Sequence, residues 1–435
     1  MKPKERTMDK INLKECSVAI IGLGYVGIPL ALLFAKKYNV IGFDIDENKV
    51  NLINDGVSYI EHINSDKIKN AIDNGFKATS DFNNLEFIDV FIICVPTPLN
   101  SFNEPDLSYV INTANSISPY LKKGSIISLE STTYPGTTED VFLPIIKERG
   151  FIAGENVFLL FSPEREDPGN QNYTTQTIPK ICGGYSTNCL EIGVKLYESV
   201  IDKVIPVSST KAAEMTKLME NIHRAVNIGL VNEMKMICDL MNIDIHEVIE
   251  AAGTKPFGFV PYLPGPGIGG HCIPIDPFYL TWKAKEYGFH TRFIELAGEI
   301  NKSMPSWVID KVIKGLNTFS KSVKNSKILI LGVAYKKNVD DMRESPSLVI
   351  LNNLEKLGAQ LSYSDPHVPK FPNLRKYSFN LNSIEISQER LSSFDIVVLA
   401  TDHDLFDYDL ILKHSKLIVD TRGKYRKEYN NVIKA

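Results

Sequence analysis

The apolar run at residues 16–21 passes directly into Gly22-Leu-Gly-Tyr-Val-Gly27 and then into a helical pattern over 28–37. Strand, glycines and helix in that order constrain the fold more than anything else in the chain. The glycines permit a tight turn, let a pyrophosphate approach the backbone and let the helix pack closely, with phosphate charge set on the helix N-terminus. The motif alone is weak, but a second apolar run at 38–43 ends in Asp44, 22 residues after Gly22. A carboxylate there suits a ribose diol and repels a 2′-phosphate, so NAD is favoured over NADP, although Lys49 nearby works against that choice. Gly22, Gly24, Tyr25, Val26, Gly27, Asp44 and Lys49 are therefore candidate cofactor residues. The bland alternative is a glycine-rich turn in a sheet protein that holds no nucleotide.

The strand pattern repeats as a doubly wound parallel sheet requires. Residues 88–95 and 125–130 read as buried strands that end in Pro96-Thr97-Pro98 and Ser131-Thr132-Thr133. Ligands of such sheets sit beyond the carboxyl ends of strands, which places Thr97, Ser131 and Thr132 near a cofactor or substrate. Loops and helix caps use the same residue types. A strand at 158–161 runs into a charged loop, 162–170, where Glu164 is a candidate functional carboxylate and Arg165 a candidate contact; a solvated loop is the alternative. A short strand at 203–207 closes this domain.

Residues 209–242 contain no proline and repeat apolar residues at helical spacing: Ala212, Met215, Met219, Ile222, Val226, Val231, Met234 and Ile237. A helix of about 30 residues, roughly 45 to 50 Å long, exceeds one core and is expected to bridge two domains and to offer an apolar face to a second subunit. On another ridge Lys217, Asn221 and Arg224 follow at i, i+4 and i+7, so the first two project side by side and are candidates for holding an oxyanion or a hydroxyl. A solvated Lys-Asn pair is the alternative.

Beyond the helix, residues 263–277 read L-P-G-P-G-I-G-G-H-C-I-P-I-D-P and set Cys272 in a loop whose glycines allow close approach and whose prolines limit slack. His271 is a candidate cation beside a thiolate and Asp276 a candidate base or orienter, so covalent catalysis is available; a lone cysteine in a tight turn is more often a small core residue. Helices are expected at 277–287 and 294–304, then a linker at 320–326. Strands at 327–331, 360–364, 396–400 and 416–420 and a helix at 347–357 make a second α/β domain. It lacks G-x-G-x-x-G. Lys336 and Arg343, in the loop after its first strand, suggest a phosphate-bearing ligand other than a second NAD, and interdomain salt bridges are the alternative.

The 435 residues, 43% hydrophobic and 23% charged, are ordinary globular composition and suffice for two or three cores. A net charge of −4 without a long run of one sign points to neither nucleic acid nor an anionic membrane surface. Residues 1–14 are charged and no stretch of about 18 apolar residues occurs, so a soluble cytoplasmic protein is expected. The six cysteines (Cys16, Cys94, Cys182, Cys189, Cys238 and Cys272) form no C-x-x-C pair, which disfavours disulfides and zinc.

Taken together, G-L-G-Y-V-G at 22–27, C-V-P-T-P at 94–98, E-S-T at 130–132, S-P-E-R at 162–165, E-M-T-K-L-M-E-N at 214–221, G-G-H-C-I-P-I-D-P at 269–277 and G-V-A-Y-K with D-M-R-E-S-P at 332–346 resemble the UDP-glucose/GDP-mannose dehydrogenase family over nearly the whole chain. UDP-glucose members usually carry G-G-S-C-F-P-K-D at the thiol, from which His271, Ile273 and Ile275 depart. The run at 255–272 looks like the branch acting on UDP-N-acetylhexosamines, closest to the UDP-N-acetyl-D-glucosamine 6-dehydrogenases. The resemblance implies an α/β chain with a flexible tail at 1–15, an NAD-binding Rossmann domain at 16–208, a central helical, dimerising domain at 209–319 and a UDP-sugar-binding Rossmann-like domain at 320–435. It implies a homodimer and a four-electron oxidation in which Cys272 carries a thiohemiacetal and then a thioester. Lys217 and Asn221 would stabilise the oxygen at C6, Asp276 would orient Lys217 or the water, and Glu164 with Thr132 would position water or act as base. Ser131, Thr132, Thr97 and Arg343 would lie at the cofactor. Glu164, Arg165, Lys217, Asn221, Arg224, Gly269, His271, Tyr335 and Lys336 would lie at the substrate. No metal is implied. Two rivals remain: a two-electron hydroxyacid dehydrogenase, which needs no thiol, and a regulatory protein that binds sugar nucleotides without turnover.

Overall fold

The computed structural model describes residues 13–435 except 61–62, 101, 103, 167–171, 271–272, 373 and 375–376. By its internal contacts the chain divides into two compact units, one running to Glu220 and taking in Phe278–Phe289, the other made of Asn221–Pro277 and His290–Ala435.

The first unit is built on eight strands: β1 Ser17–Ile21, β2 Asn39–Phe43, β3 Lys77–Thr79, β4 Val90–Ile93, β5 Ile126–Leu129, β6 Phe158–Phe161, β7 Lys180–Gly184 and β8 Val204–Val207. Their order, β3-β2-β1-β4-β5-β6-β7-β8, contains the dinucleotide-fold order 3-2-1-4-5-6. Every pairing is parallel except β6 with β7. The strands are continuous apolar runs because both faces are covered: Val18 and Ile20 join one core, Ala19 and Ile21 the other, as the two-residue period dictates. Strand β7 escapes the sequence reading. Its run Lys-Ile-Cys-Gly-Gly is short and glycine-rich, yet all five residues are buried.

The second unit contains a five-stranded parallel sheet, β9 Lys327–Leu331, β10 Gln360–Ser364, β11 Ile396–Leu399, β12 Ile418–Asp420 and β13 Val432–Lys434, in the order β10-β9-β11-β12-β13. Ile328 and Ile330 face one core, Leu329 and Leu331 the other. This is again a Rossmann-like layer, and its first turn copies that of the first unit. Gly332 has φ 79° where Gly22 has φ 95°. Val333 N–H donates to Asp365 at 2.7 Å, as Leu23 N–H donates to Asp44 at 2.9 Å. The copies differ at the carboxylate. Asp365 is fully enclosed and takes a hydrogen bond from His403 at 3.0 Å. Because His403 Nδ1 accepts from Asn338 N–H at 2.9 Å, the ring proton resides on Nε2 and points at Asp365. Burial opposes the Asp365 charge, but His403 and the backbone N–H groups outweigh it and hold the carboxyl below its usual range. With its carboxylate satisfied internally, this turn has no acidic group to offer a ribose. Replacing His403 by Leu removes one donor to a buried carboxylate that keeps its backbone donors, and chemical denaturation should show a loss of about 1.5–3 kcal/mol.

A single helix of 31 residues, Thr210–Leu240, runs through both units, its part up to Glu220 belonging to the first. At 1.5 Å per residue it is about 46 Å long. Ser209 Oγ accepts from Ala212 N–H at its start, and Asn242, at φ 56°, turns the chain so that Ile243 N–H reaches Cys238 O at 2.9 Å. The periodicity correctly finds this helix, but several of its apolar markers face outward. Met215, Met219, Met234 and Ile237 are exposed, whereas Glu214, Lys217, Asn221, Asn232 and Lys235 are buried. The solvated Lys-Asn face is thereby overturned. The helix expected at 294–304 also proves longer, continuing as Arg292–Asn317 through Pro305. Met304, Pro305, Val308, Ile309, Val312 and Leu316 are all buried at helical spacing, and that packing outweighs one missing backbone donor.

Candidate functional site

In the first unit the glycine turn lies at the carboxyl ends of β1 and β4, where the strand order reverses. A Cβ on Gly22 would stand 2.6 Å from Cys94 O, and one on Gly27 would stand 1.8 Å from Gly22 O, so both positions exclude any side chain. Over Gly24 a Cβ would meet nothing within 4 Å, and this is the open cradle a pyrophosphate needs. Tyr25 and Val26 are half-buried on the same turn. Asp44 is 9% exposed. Its Oδ2 takes the Leu23 N–H and its Oδ1 the Asp46 N–H at 3.0 Å, and Lys49 Nζ is 3.8 Å away. Open backbone beside an anchored carboxylate fits NAD.

The hydroxyls at the ends of β4 and β5 do structural work. Thr97 Oγ1 donates to Thr132 O at 2.8 Å, Ser131 Oγ donates to Val95 O at 2.7 Å, and Tyr279 OH donates to Thr97 O at 2.8 Å. Thr97 and Ser131 thus brace the strand ends, while Thr132 is half-buried beside them.

After β6, Glu164 Oε1 accepts the backbone N–H groups of Arg165 and Glu166 at 2.7 and 2.8 Å, and Lys217 Nζ donates to Glu164 O at 2.5 Å. The structure therefore brings Lys217 to Glu164. Arg165 is committed elsewhere, to Glu220 at 2.7 Å and Pro179 O at 2.6 Å. Beneath them lies a cluster the sequence reading missed, in which buried Lys180 pairs with Glu130 at 2.6 Å and Tyr197 OH donates to the same carboxylate. Glu130 is visible in the sequence only as the end of a strand and the start of the E-S-T motif. Glu214 was visible only as part of a motif; its carboxylate accepts Gly136 N–H at 2.6 Å, Thr138 N–H at 2.9 Å and Thr138 Oγ1–H at 2.7 Å, capping the helix Thr137–Glu148.

In the second unit Asn221 Nδ2 donates to Asp276 and Arg224 donates to Asn221 Oδ1. Asp276 thus holds Asn221, a partner the resemblance did not name beside Lys217 or the water. Tyr335 packs on the glycine loop so tightly that a Cβ on Gly269 would lie 2.6 Å from Tyr335 Cβ. Gly270 N–H donates to Arg343 O at 2.9 Å, and Gly265 N–H donates to buried Asn232 at 3.0 Å. The loop's glycines first of all let it approach its own unit. Arg343 grips Asp341 at 2.7 and 3.0 Å, and Lys336 is half-buried. His271 and Cys272 lie outside the described residues.

Burial pushes Glu166 and Glu214 each up to about 7, against the pull of backbone and threonine donors on the latter. An acid whose folded pKa exceeds its unfolded value binds protons more tightly when folded, so its contribution is full at low pH and lost as pH rises through the folded value. Stability should therefore fall between about pH 4.5 and 7. Thermal melts across that range should show a shallower slope in Glu214→Gln, whose share is on the order of 3 kcal/mol; an unchanged slope would clear Glu214 of the effect.

Family models for the UDP-glucose/GDP-mannose dehydrogenase family match the chain in three parts: the NAD-binding domain at residues 16–201, the central domain at 211–303 and the UDP-binding domain at 329–427. The chain belongs to this family and is an NAD-dependent UDP-sugar dehydrogenase, an oxidoreductase. It is 35% identical to protein CapL of Staphylococcus aureus over 96% of this chain and 98% of that one. It is 34% identical to a UDP-N-acetyl-D-glucosamine 6-dehydrogenase of Pseudomonas aeruginosa, covering 91% and 92% of the two chains. Among solved structures, the UDP-D-ManNAc dehydrogenase of Pyrococcus horikoshii superposes with a TM-score of 0.87 at 31% identity, over 96% of this chain and 98% of that one. No described helix is long and apolar enough to cross a membrane.

Proposed function

We propose that this chain oxidises the C6 primary alcohol of UDP-N-acetyl-D-glucosamine to UDP-N-acetyl-D-glucosaminuronate through Cys272. The reaction converts one alcohol, two NAD and one water into one carboxylate, two NADH and three protons. The observation that supports it most is the burial of Lys217, 7% exposed, and Asn221, fully enclosed, on the long helix, with Asn221 donating to Asp276 four residues beyond the thiol. Burying an ammonium and an amide is costly unless they have a polar task.

In this reading Gly22, Gly24, Gly27 and Asp44 hold NAD, which when bound accepts a hydride at each oxidation. Lys217 and Asn221 stabilise the oxygen at C6 as its charge changes, Asn221 being held in place by Asp276. The Cys272 sulfur adds to the C6 aldehyde, giving a thiohemiacetal; its oxidation gives a thioester, and a water placed by Glu164 and Thr132 releases the acid. Tyr335 and Lys336 serve the UDP, with Arg343 near the cofactor.

The relatives' names divide among N-acetylglucosamine, N-acetylmannosamine and N-acetylgalactosaminuronic acid, and the sequence 255–272 favours the first. The test is NADH formation with UDP-N-acetylglucosamine, UDP-N-acetylmannosamine and UDP-glucose side by side. Two NADH per N-acetylglucosamine, at a kcat/KM at least about tenfold above the others, is expected. A preference for the C2 epimer would overturn the substrate, and one NADH per sugar would overturn the mechanism. We also infer a cytoplasmic homodimer. Leu230, Met234, Ile237 and Leu240 expose apolar surface along the helix, and the five described cysteines are free, which suits a reducing compartment.

A further inference from the structure

We propose that Lys180 is a positioning residue that fixes where the second carboxylate oxygen of Glu164 points. The inference rests on the reading of Glu164 as a group that touches the reacting sugar or its water.

Glu164 is 8% exposed, and its two oxygens are treated differently. Oε1 is saturated by two backbone N–H groups, whereas Oε2 is buried and has no hydrogen bond among the described residues. Among the described residues the ion-pair partner of this oxygen is Lys180 Nζ at 3.5 Å, too long for a good hydrogen bond and close enough for strong attraction. Most buried carboxylate oxygens are hydrogen-bonded, and the spare oxygen at the end of β6 is read as facing a group that arrives with a ligand.

Lys180 is itself held from three sides. Nζ donates to Glu130 Oε2 at 2.6 Å and lies 3.4 Å from Pro163 O, and its backbone opens β7. Glu130 is in turn fixed by Tyr197 OH, which sits 2.7 Å from Ser128 Oγ. One ammonium thus ties the end of β5, the loop after β6 and the start of β7, and Glu164 stands on that loop. Burial works against the Lys180 charge, but Glu130 and Glu164 outweigh it and hold the ammonium above its ordinary value. The antiparallel pairing of β6 with β7, the sheet's one departure from parallel order, belongs to the same arrangement.

The test is a double-mutant cycle in the full chain with NAD and UDP-N-acetylglucosamine, using Lys180→Met, Glu164→Gln and the pair. Glu164→Gln is expected to lower kcat on the order of 10²-fold. Lys180→Met should lower it about tenfold or more, with KM for both ligands within about twofold. In the Glu164→Gln background, Lys180→Met should have no further effect on kcat, and Lys180→Arg, which keeps the charge, should recover most of the activity. An equal loss from Lys180→Met in both backgrounds makes the residue merely structural and overturns the proposal while leaving the Glu164 reading intact. An unaltered kcat in Glu164→Gln overturns that reading, and the proposal with it. Should Lys180→Met not fold, Glu130→Gln takes its place in the cycle with the same expected pattern.

Discussion

Replacing Cys272 by Ala should reduce steady-state formation of the uronic acid by at least about 10³-fold, since the second oxidation has no covalent adduct to act on. Rapid mixing should then show at most one NADH per active site, from the first oxidation, and mass spectrometry of wild-type enzyme quenched in turnover should show the sugar nucleotide attached to the peptide containing Cys272. The other thiols are poor substitutes. Burial pushes Cys16 up to about 11 and Cys182 up to about 12, and Cys94 lies well above its usual value for the same reason. A thiol so far from ionising is a weak nucleophile. Replacing Cys16 or Cys182 by Ser should accordingly leave turnover within about twofold. Undiminished acid formation by Cys272→Ala would remove the thioester from the mechanism.

The second large effect is expected at Gly27. A Cβ there would lie 1.8 Å from Gly22 O, a backbone atom of the turn proposed to cradle the pyrophosphate, so the helix Gly27–Phe34 must move away from the strand that feeds it. Gly27→Ala should lose about 2–4 kcal/mol of stability through overpacking and at least about 10²-fold in NAD affinity, the latter measured by isothermal titration. Gly24→Ala is the control. It meets no atom within 4 Å, so its fold should hold while the new methyl crowds the cofactor alone. Equal losses of stability in the two variants would contradict this account of the turn.

Much of this architecture is legible in the residues. Strands at 158–161 and 327–331 fall where the apolar runs place them, because a strand covered on both faces has little alternative to a continuous apolar sequence. The same rule hides β7, whose two glycines dilute the apolar signal. Pro305 misleads in another way. Read locally it ends a helix, but Val308, Val312 and Leu316 are buried beyond it, and this packing is set by residues distant in sequence.

The polar residues divide along a similar line. Lys217 and Asn221 are legible as neighbours on a helix, but whether that face is wet or buried depends on what covers it. Lys180 has no local signature at all. Its partners Glu130 and Glu164 are 50 and 16 residues away in the chain, and only strand order brings the three together. Met215 and Met219 make the converse point, since an apolar period locates a helix without saying which neighbour its apolar side is meant for.

The turn closed by Asp365 and His403 has one more consequence. Because the carboxylate secures the Val333 and His367 N–H groups and the His403 ring secures Asn338 N–H, three loops at the carboxyl ends of β9, β10 and β11 are ordered before any ligand arrives. A ligand docking on those loops forfeits little conformational entropy on binding, so its affinity can rest on few contacts. The histidine that occupies the carboxylate thus also braces the loop beside it.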